Sequence, residues 1–440
     1  MPSFDTRVPA VLVRLDRNPF HHGTLGAARS LGRAGIPVHA VLESRTSPAA
    51  RSRYVRSVHA RPAPASPTAL PAALADLLLR LSAEHPTPAL LLPLDDLGAL
   101  ALAEHRAELT DRYLLPDQSA EQLARVADKA ALAETCRALS LPHPPTELPE
   151  SADEAAAMAW TLGLPVVAKW SRPWLLPPGA GLRSTSLVRS LTEVRALYAR
   201  TPEAGSRLLL QRLLPAGRDL DWFVHGYADA AGRCATLAAG RKERSWPSGA
   251  GLTAVGRWTA NPAIERMARE LHSALGYRGV FDLDFRLDRA TGAYHLLDFN
   301  PRPGAQFRLF ADPAGLDVVR AMHLDLTGRR IPGHSPSYGR RFVVENYATL
   351  SVLTSPRGRH GAEPGAEPGG VPRGRTETAW FAADDLAPGF AMAGAWLLHA
   401  LRKGLMTLRR LIRSGRARKV AAVSPPMAPA RTASARTTRR

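Results

Sequence analysis

Cysteine is nearly absent: Cys136 and Cys234 are the only two in 440 residues. Two thiols cannot build a disulfide framework, so the fold must rest on an ordinary hydrophobic core, and a reducing cytoplasm is the expected setting. Aromatic residues are sparse, at 6%, but the hydrophobic share of 45% supplies ample material for such a core. Long apolar runs are also missing. The opening segment MPSFDTRVPAVLVRLD has no basic stretch leading into an apolar one, which argues against a signal peptide. Residues 386 to 401 are apolar, yet Pro388, two glycines and His399 interrupt them, which disfavours a transmembrane helix.

Acidic residues are in deficit, 39 against 58 Lys and Arg, for a net charge of +19. Residues 401 to 440 hold twelve Lys and Arg and no acid, so only +7 belongs to the first 400 residues. The basicity is therefore a tail property, and no nucleic-acid partner is expected for the body of the chain. Leu397, Leu401, Leu405, Leu408 and Ile412 recur at helical spacing opposite Lys403, Arg409, Arg410 and Arg413. Such a basic amphipathic helix can dock on its own protein or make peripheral contact with an anionic membrane. The repeat GAEPGAEPGG, 361 to 370, reads as a flexible linker before it, and residues 420 to 440 read as disordered.

The length suggests about three domains. VPAVLVRL (8 to 15), IPVHAVL (36 to 42) and ALLLPLDD (89 to 96) are short apolar runs separated by helical patterns such as TLGAARSLGRAG (24 to 35), which predicts a parallel α/β sheet. GTLGAA, 23 to 28, lacks the three-glycine spacing of a dinucleotide loop. Residues 108 to 146 read as a helical linker with Asp128 and Lys129 inside it. Ser151 and Glu154 cap a following helix, LPVVAKW (164 to 170) is a strand near whose end Lys169 stands, PPGAGLRST (177 to 185) is a Gly-rich loop, and RLLLQRLL (207 to 214) is a buried strand.

The chemistry concentrates in FDLDFRLD, 281 to 288, and HLLDFNPRPG, 295 to 304. Both alternate, and residues two apart on a strand share a face. The Thr-Gly of ATGAY, 290 to 294, predicts a tight connection, so pairing would bring Asp284 near Asp298 and Asn300. Carboxylates beside apolar residues are costly unless paired or coordinated. Two carboxylates and an amide oxygen suit a hard ion such as Mg²⁺ rather than Zn²⁺, since no cysteine lies nearby. Polar strand ends without a metal, and a structural ion pair for Arg302, are the bland alternatives.

In order and spacing, ADK (127 to 129), PVVAK (165 to 169), the Gly-rich loop, LLLQRLLPAG (208 to 217), GRKERSWPSGAG (240 to 251), FDLDFRL and LLDFNPR resemble the ATP-grasp superfamily. Within it they resemble the carboxylate-amine ligases of the D-aspartate ligase-like and D-alanine-D-alanine ligase-like types, over about residues 8 to 350. The resemblance implies an α/β (α+β ATP-grasp) fold: a parallel pre-ATP-grasp domain over 1–115, a helical linker and small subdomain over 116–215, and a C-terminal subdomain over 216–355. A linker, basic helix and tail would follow over 356–440. It implies ATP and Mg²⁺ as cofactors, with Mn²⁺ as a substitute. Lys129 and Lys169 would contact phosphates, and Gln211, Arg212, Leu213 and Leu214 would form the adenine hinge. Asp219, with Asp221 as competitor, would bind ribose. Asp284, Asp298 and Asn300 would hold the metal, although the family commonly has Glu where Asp298 stands. Arg302, fixed between Pro301 and Pro303, and Arg241, with its neighbours Lys242 and Arg244, would face a phosphate or the substrate carboxylate. The implied activity is an ADP-forming ligation of a small carboxylate to a small amine, in a protein free to form a homodimer. Another ATP-grasp phosphotransferase, or a non-catalytic nucleotide-binding scaffold recruited by its tail, stays open. A biotin carboxylase would need a carrier, and the chain has no Met-Lys signature.

Overall fold

The computed structural model describes residues 3–247, 251–353 and 374–402. The chain divides into two compact units, residues 1–392 and 393–440. The first unit opens with five parallel strands, β1 (Ala10–Val13), β2 (Val38–Leu42), β3 (Val55–Ala60), β4 (Ala89–Pro93) and β5 (Tyr113–Leu114), in the order 3-2-1-4-5. Helices α1 (His22–Arg33), α2 (Leu70–Ser82), α3 (Asp96–Glu104) and α4 (Arg106–Leu109) connect them. The strands β1 and β4 are apolar throughout and buried on both faces, as a parallel sheet between helices requires. GTLGAA lies inside α1 and is no loop.

The predicted linker is two helices, α5 (Ala120–Ala127) and α6 (Lys129–Ala138), joined at Asp128. Asp128 ends the first in an extended conformation and caps the second, its carboxylate accepting from the N–H groups of Ala130 and Ala131. Lys129 therefore sits at the first position of a helix and not within one. Leu123, Val126, Leu132 and Cys136 share a core with Val224, Phe281, Phe285 and Phe299. These helices thus share a core with the C-terminal sheet, while Asp128 and Lys129 at their junction bond Ser171 and Arg172 of the following lobe.

The small lobe is an antiparallel sheet of β6 (Thr146–Glu147), β7 (Val166–Trp170), β8 (Thr185–Val188) and β9 (Leu208–Arg212), in the order 6-9-7-8. Helices α7 (Ala152–Leu162), α8 (Leu191–Tyr198) and α9 (Thr201–Ala204) complete it. Ser151 caps α7 through the Glu154 N–H at 3.1 Å, as expected. The loop before β8 carries Gly179 and Gly181 at φ +85° and +71°, a left-handed path that favours glycine.

The third sheet holds β10 (Asp221–Ala228), β11 (Cys234–Trp246), β12 (Leu252–Trp258), β13 (Gly279–Leu287), β14 (Tyr294–Asn300), β15 (Arg341–Val343) and β16 (Thr376–Thr378), in the order 14-13-10-11-12-15-16. All its pairings are antiparallel except β15 with β16. Helices α10 (Pro262–Ala274), α11 (Val318–Leu326) and α12 (Glu345–Leu353) flank it. In α11, Val319 and Met322 join Leu12, Val38 and Leu90 of the first sheet in one core, which ties the pre-grasp layer to the C-terminal lobe.

The segment from 374 onward departs from expectation. The extension was read as beginning at 356, yet β16 belongs to the third sheet and Trp380 is fully buried. Arg29 bonds the carbonyls of Ala379, Trp380 and Asp385 and pairs with the Asp385 carboxylate at 2.9 Å. Residues 387 to 402 are helical, with Leu397 and Leu401 exposed. The linker repeat, Leu405, Leu408, Ile412 and the tail lie outside the described residues.

Candidate active site

Asp284 on β13 stands opposite Asp298 on β14, and Asp282 opposite Asn300, so the two strands pair in the anticipated register. A bulge beside Phe285 leaves Leu297 unpaired in the ladder. Its carbonyl accepts from Lys169 Nζ at 3.0 Å, while Lys129 Nζ pairs with the neighbouring Asp298 carboxylate. The local sequence explains how Lys129 gets there. Its helix cap, Asp128, accepts from Ser171 Oγ and pairs with Arg172 Nε at 2.7 Å, and the Lys129 N–H bonds the Ser171 carbonyl. Ser171 directly follows β7, the strand that carries Lys169. One buried cap thus delivers two lysines to one stretch of β14.

The remaining cations close around the same face. Lys242 Nζ lies 2.8 Å from Asp284 Oδ1. Arg302 reaches Asp96 at 3.3 Å and Asp282 at 3.5 Å. His225 Nε2 lies 3.1 Å from Asp282 Oδ1. Asp96 is the first residue of α3, held in place because Asp95 caps that helix and also accepts from the backbone of Leu15 and Asp16. A Cβ on Gly304 would come within 2.5 Å of His225 Cε1 and 2.6 Å of Asp282 Cγ, so only glycine lets the turn after Arg302 lie on this pair.

Burial and charge set the protonation states. Desolvation alone would lower Lys129, but the Asp298 and Asp96 carboxylates outweigh it and hold its pKa above the usual value. For Lys169 burial wins, and the pKa falls although Asp298 opposes the shift. Burial also raises Asp284, with Lys242 opposing, whereas His225, Arg302 and Lys242 overcome burial to hold Asp282 low.

The donor set fits a hard divalent ion. Asn300 Nδ2 donates to Asp282 Oδ2 at 3.2 Å, which an acceptor-only carboxylate demands, and that turns the amide oxygen away from Asp282. Asp284 Oδ1 is buried, and Lys242 meets its charge. Among the described residues no group of three or more His, Cys, Asp or Glu forms a metal cluster. Asp284, Asp298 and the Asn300 amide oxygen would hold such an ion, and Mg²⁺ would take its further ligands from water and phosphate.

The other predicted residues divide. Gln211 is buried on β9 and donates to Thr146 Oγ1 at 2.9 Å. The Arg212 N–H bonds the Pro145 carbonyl, and the Leu214 carbonyl accepts from Arg286 at 3.1 Å. Leu214 is buried and Leu213 half-buried. A narrow cavity of about 10 Å³ is lined by Lys129, Lys169, Gln211, Leu296 and Leu297, so the expected phosphate lysines and the start of the hinge face one cleft. Asp221 is committed to Arg286 at 2.7 Å. Asp219, at φ +64°, pairs with Arg241 at 3.3 Å. Arg241 thus stands beside the acid expected at the ribose. Adjacent strand residues point to opposite faces, and Lys242, the next residue, meets Asp284. His225, Asp96 and Asp282 escaped notice as site members. Two of them carry a signal: Asp282 shares the alternation of Asp284 on β13, and Asp96 belongs to an Asp-Asp pair closing an apolar run.

Three sheets of this topology, with two lobes meeting over a carboxylate hairpin, define the ATP-grasp fold. Solved structures with the same fold include the ADP complex of N5-carboxyaminoimidazole synthetase from Staphylococcus aureus, at TM-score 0.56 and 12% identity over 76% of this chain and 80% of that one. The biotin carboxylase complex from Campylobacter jejuni matches at TM-score 0.53 and 14% identity, covering 74% and 72%. L-amino acid ligase from Bacillus licheniformis matches at TM-score 0.53 and 14% identity, covering 72% and 74%. No protein-family model matches the chain. In sequence it is similar to D-aspartate ligase of Enterococcus faecium, 22% identical over 269 residues, 59% of this chain and 61% of that protein. It is 29% identical to acetyl-CoA carboxylase 2 of Oryza sativa over 157 residues, 34% of this chain and 6% of that protein. The chain thus spans under two thirds of the curated relatives it matches.

Proposed function

We propose that the protein is an ADP-forming ligase that activates a small carboxylate as an acyl phosphate and couples it to a small amine. The observation that carries this reading is the meeting of Lys129 and Lys169 with Asp284, Asp298 and Asn300 on one hairpin, with Arg302 beside it. Carboxylate is a poor electrophile and ATP is a polyanion, so phosphoryl transfer between them needs cations placed in advance. Bound Mg²⁺, or Mn²⁺ in its place, would screen the phosphates and collect the developing charge. Lys129 and Lys169 exchange their present contacts for phosphate oxygens. Gln211 to Leu214 offer the hinge for adenine and Asp219 the ribose contact. Arg302, held by Asp96, presents a fixed fork to the substrate carboxylate or the transferred group. Positioning does most of the work, and no side chain has to form a covalent bond.

The likeness to D-aspartate ligase and to an L-amino acid ligase supports amide formation. No helix among the described residues is long and apolar enough to cross a membrane. A cytoplasmic enzyme, homodimeric and touching membrane at most through its basic helix, completes the proposal. Incubation with MgATP and paired acids and amines should release ADP and phosphate only when both partners are present. Formation of AMP and pyrophosphate would overturn the scheme.

A further inference from the structure

We propose that the apolar cavity running along α3 to residues 301–303 is a binding site for a small branched aliphatic carboxylate, separate from the nucleotide cleft. Its volume is about 50 Å³. A cavity that holds benzene measures about 150 Å³ and a single water needs about 10–15 Å³, so this one admits the branched end of a short chain. The space exists because α3 turns alanines, Ala99 and Ala103, toward it, with Leu102, Val280 and Met322 completing apolar walls. Water gains little in such walls.

One polar group inside is unmet. Gln118 is 5% exposed and lines the cavity. Its Oε1 accepts from the backbone N–H of Arg278 at 2.7 Å, which fixes the orientation of the amide. Its Nε2 is left buried with no hydrogen-bond partner among the described residues. A buried donor without a partner calls for an acceptor oxygen. At the same end, Arg106 and Arg278 both pair with Asp117, at 3.2 and 3.1 Å. Two guanidiniums share one carboxylate, so this trio keeps one positive charge. An apolar pocket with one amide donor and a net cation at its edge selects an aliphatic acid over a phosphate, which is too hydrated for the walls, and over an alcohol, which gains nothing from the charge.

The far wall is the turn of Pro301, Arg302 and Pro303, whose arginine pairs with Asp96 and Asp282 in the candidate active site. An occupant props that turn from behind and holds Arg302 in register, an effect on turnover that rests on the ligase reading, whereas occupancy does not. The test is calorimetric titration of the full chain with 3-methylbutanoate, with and without saturating MgATP. Wild type should bind saturably at millimolar concentration whether or not nucleotide is present. Gln118→Glu keeps the acceptor for Arg278, removes the donor and adds a negative charge, so it should weaken binding by about tenfold or more. Ala103→Leu fills the space and should abolish binding, with an unfolding midpoint at or above that of wild type to show that the fold is intact. Absence of saturable binding to wild type, binding by either variant as tight as that of wild type, or displacement by MgATP would each overturn the site. A protein that binds the acid yet releases no ADP would keep the site and lose the ligase reading.

Discussion

At the scale of single residues the account turns on which cation faces which carboxylate. Lys242 meets Asp284 while its neighbour Arg241 meets Asp219, so the two should differ sharply on mutation. Lys242→Ala is expected to lower kcat/KM by about 10²-fold, within the range for losing one electrostatic stabiliser, and Arg241→Ala by much less. Equal losses in steady-state assays would return Arg241 to the site. Asp298→Ala removes a proposed metal donor and strands Lys129, so turnover should fall by about 10²-fold or more while the fold persists on circular dichroism. The carboxylates were legible in the sequence because alternation is local: Asp282, Asp284, Asp298 and Asn300 fall two apart on their own strands. The Lys242 contact was not legible, because β10 lies between β11 and β13 and nothing in the sequence announces that order. Both cysteines are held as thiols. Burial pushes the Cys136 thiol up to about 12 and Cys234 up to about 11, so both stay protonated at neutral pH. Iodoacetamide should label the native protein far more slowly than the denatured one, since only thiolate reacts.

At the scale of elements, the hairpin β13–β14 was readable and its surroundings less so. Apolar runs bounded by turns betrayed β1, β2, β4 and β9. The edge strand β3 carries Arg56, Ser57 and His59 on a half-exposed ladder and has no such signature. The strand β16 was missed because it follows a low-complexity stretch and has only three residues, yet its segment is bound firmly. The guanidinium of Arg29 and the carboxylate of Asp385 are 4% and 2% exposed, and Ser52 and the Arg53 N–H also bond that carboxylate. Removing one partner of a buried pair strands the other charge at a cost of about 3–5 kcal/mol. Arg29→Ala should therefore lower stability by about that amount in urea unfolding, and a loss near zero would show that residues 374–392 dock without it.

At the scale of the whole molecule, the folded body includes residues 374–392 as well as the fold proper, so the two obvious truncations should behave differently. A chain ending at 392 should fold and turn over, whereas one ending at 355 should lose soluble protein, because Arg29, Glu345 and Asn346 lose their partners at Ala379, Trp380 and Asp385. Acid should also discriminate. His22, buried against Phe342, Tyr347 and Trp380, is held down to about 3 by desolvation, and burial first, with His85 and His59 beside it, lowers His39 to about 4. These rings are neutral when folded and take up protons near pH 6.5 when unfolded, so their stabilisation is complete above 6.5 and drains away as pH falls toward 4. The urea midpoint should drop across that window, and His22→Phe should flatten the drop. The central claim, that one β hairpin offers two aspartates and an amide oxygen to the metal of a bound nucleotide, is tested most directly by electron paramagnetic resonance of Mn²⁺ added with ATP. A tightly bound Mn²⁺ signal that requires ATP and disappears in Asp298→Ala is expected; the same signal in the variant would contradict that assignment.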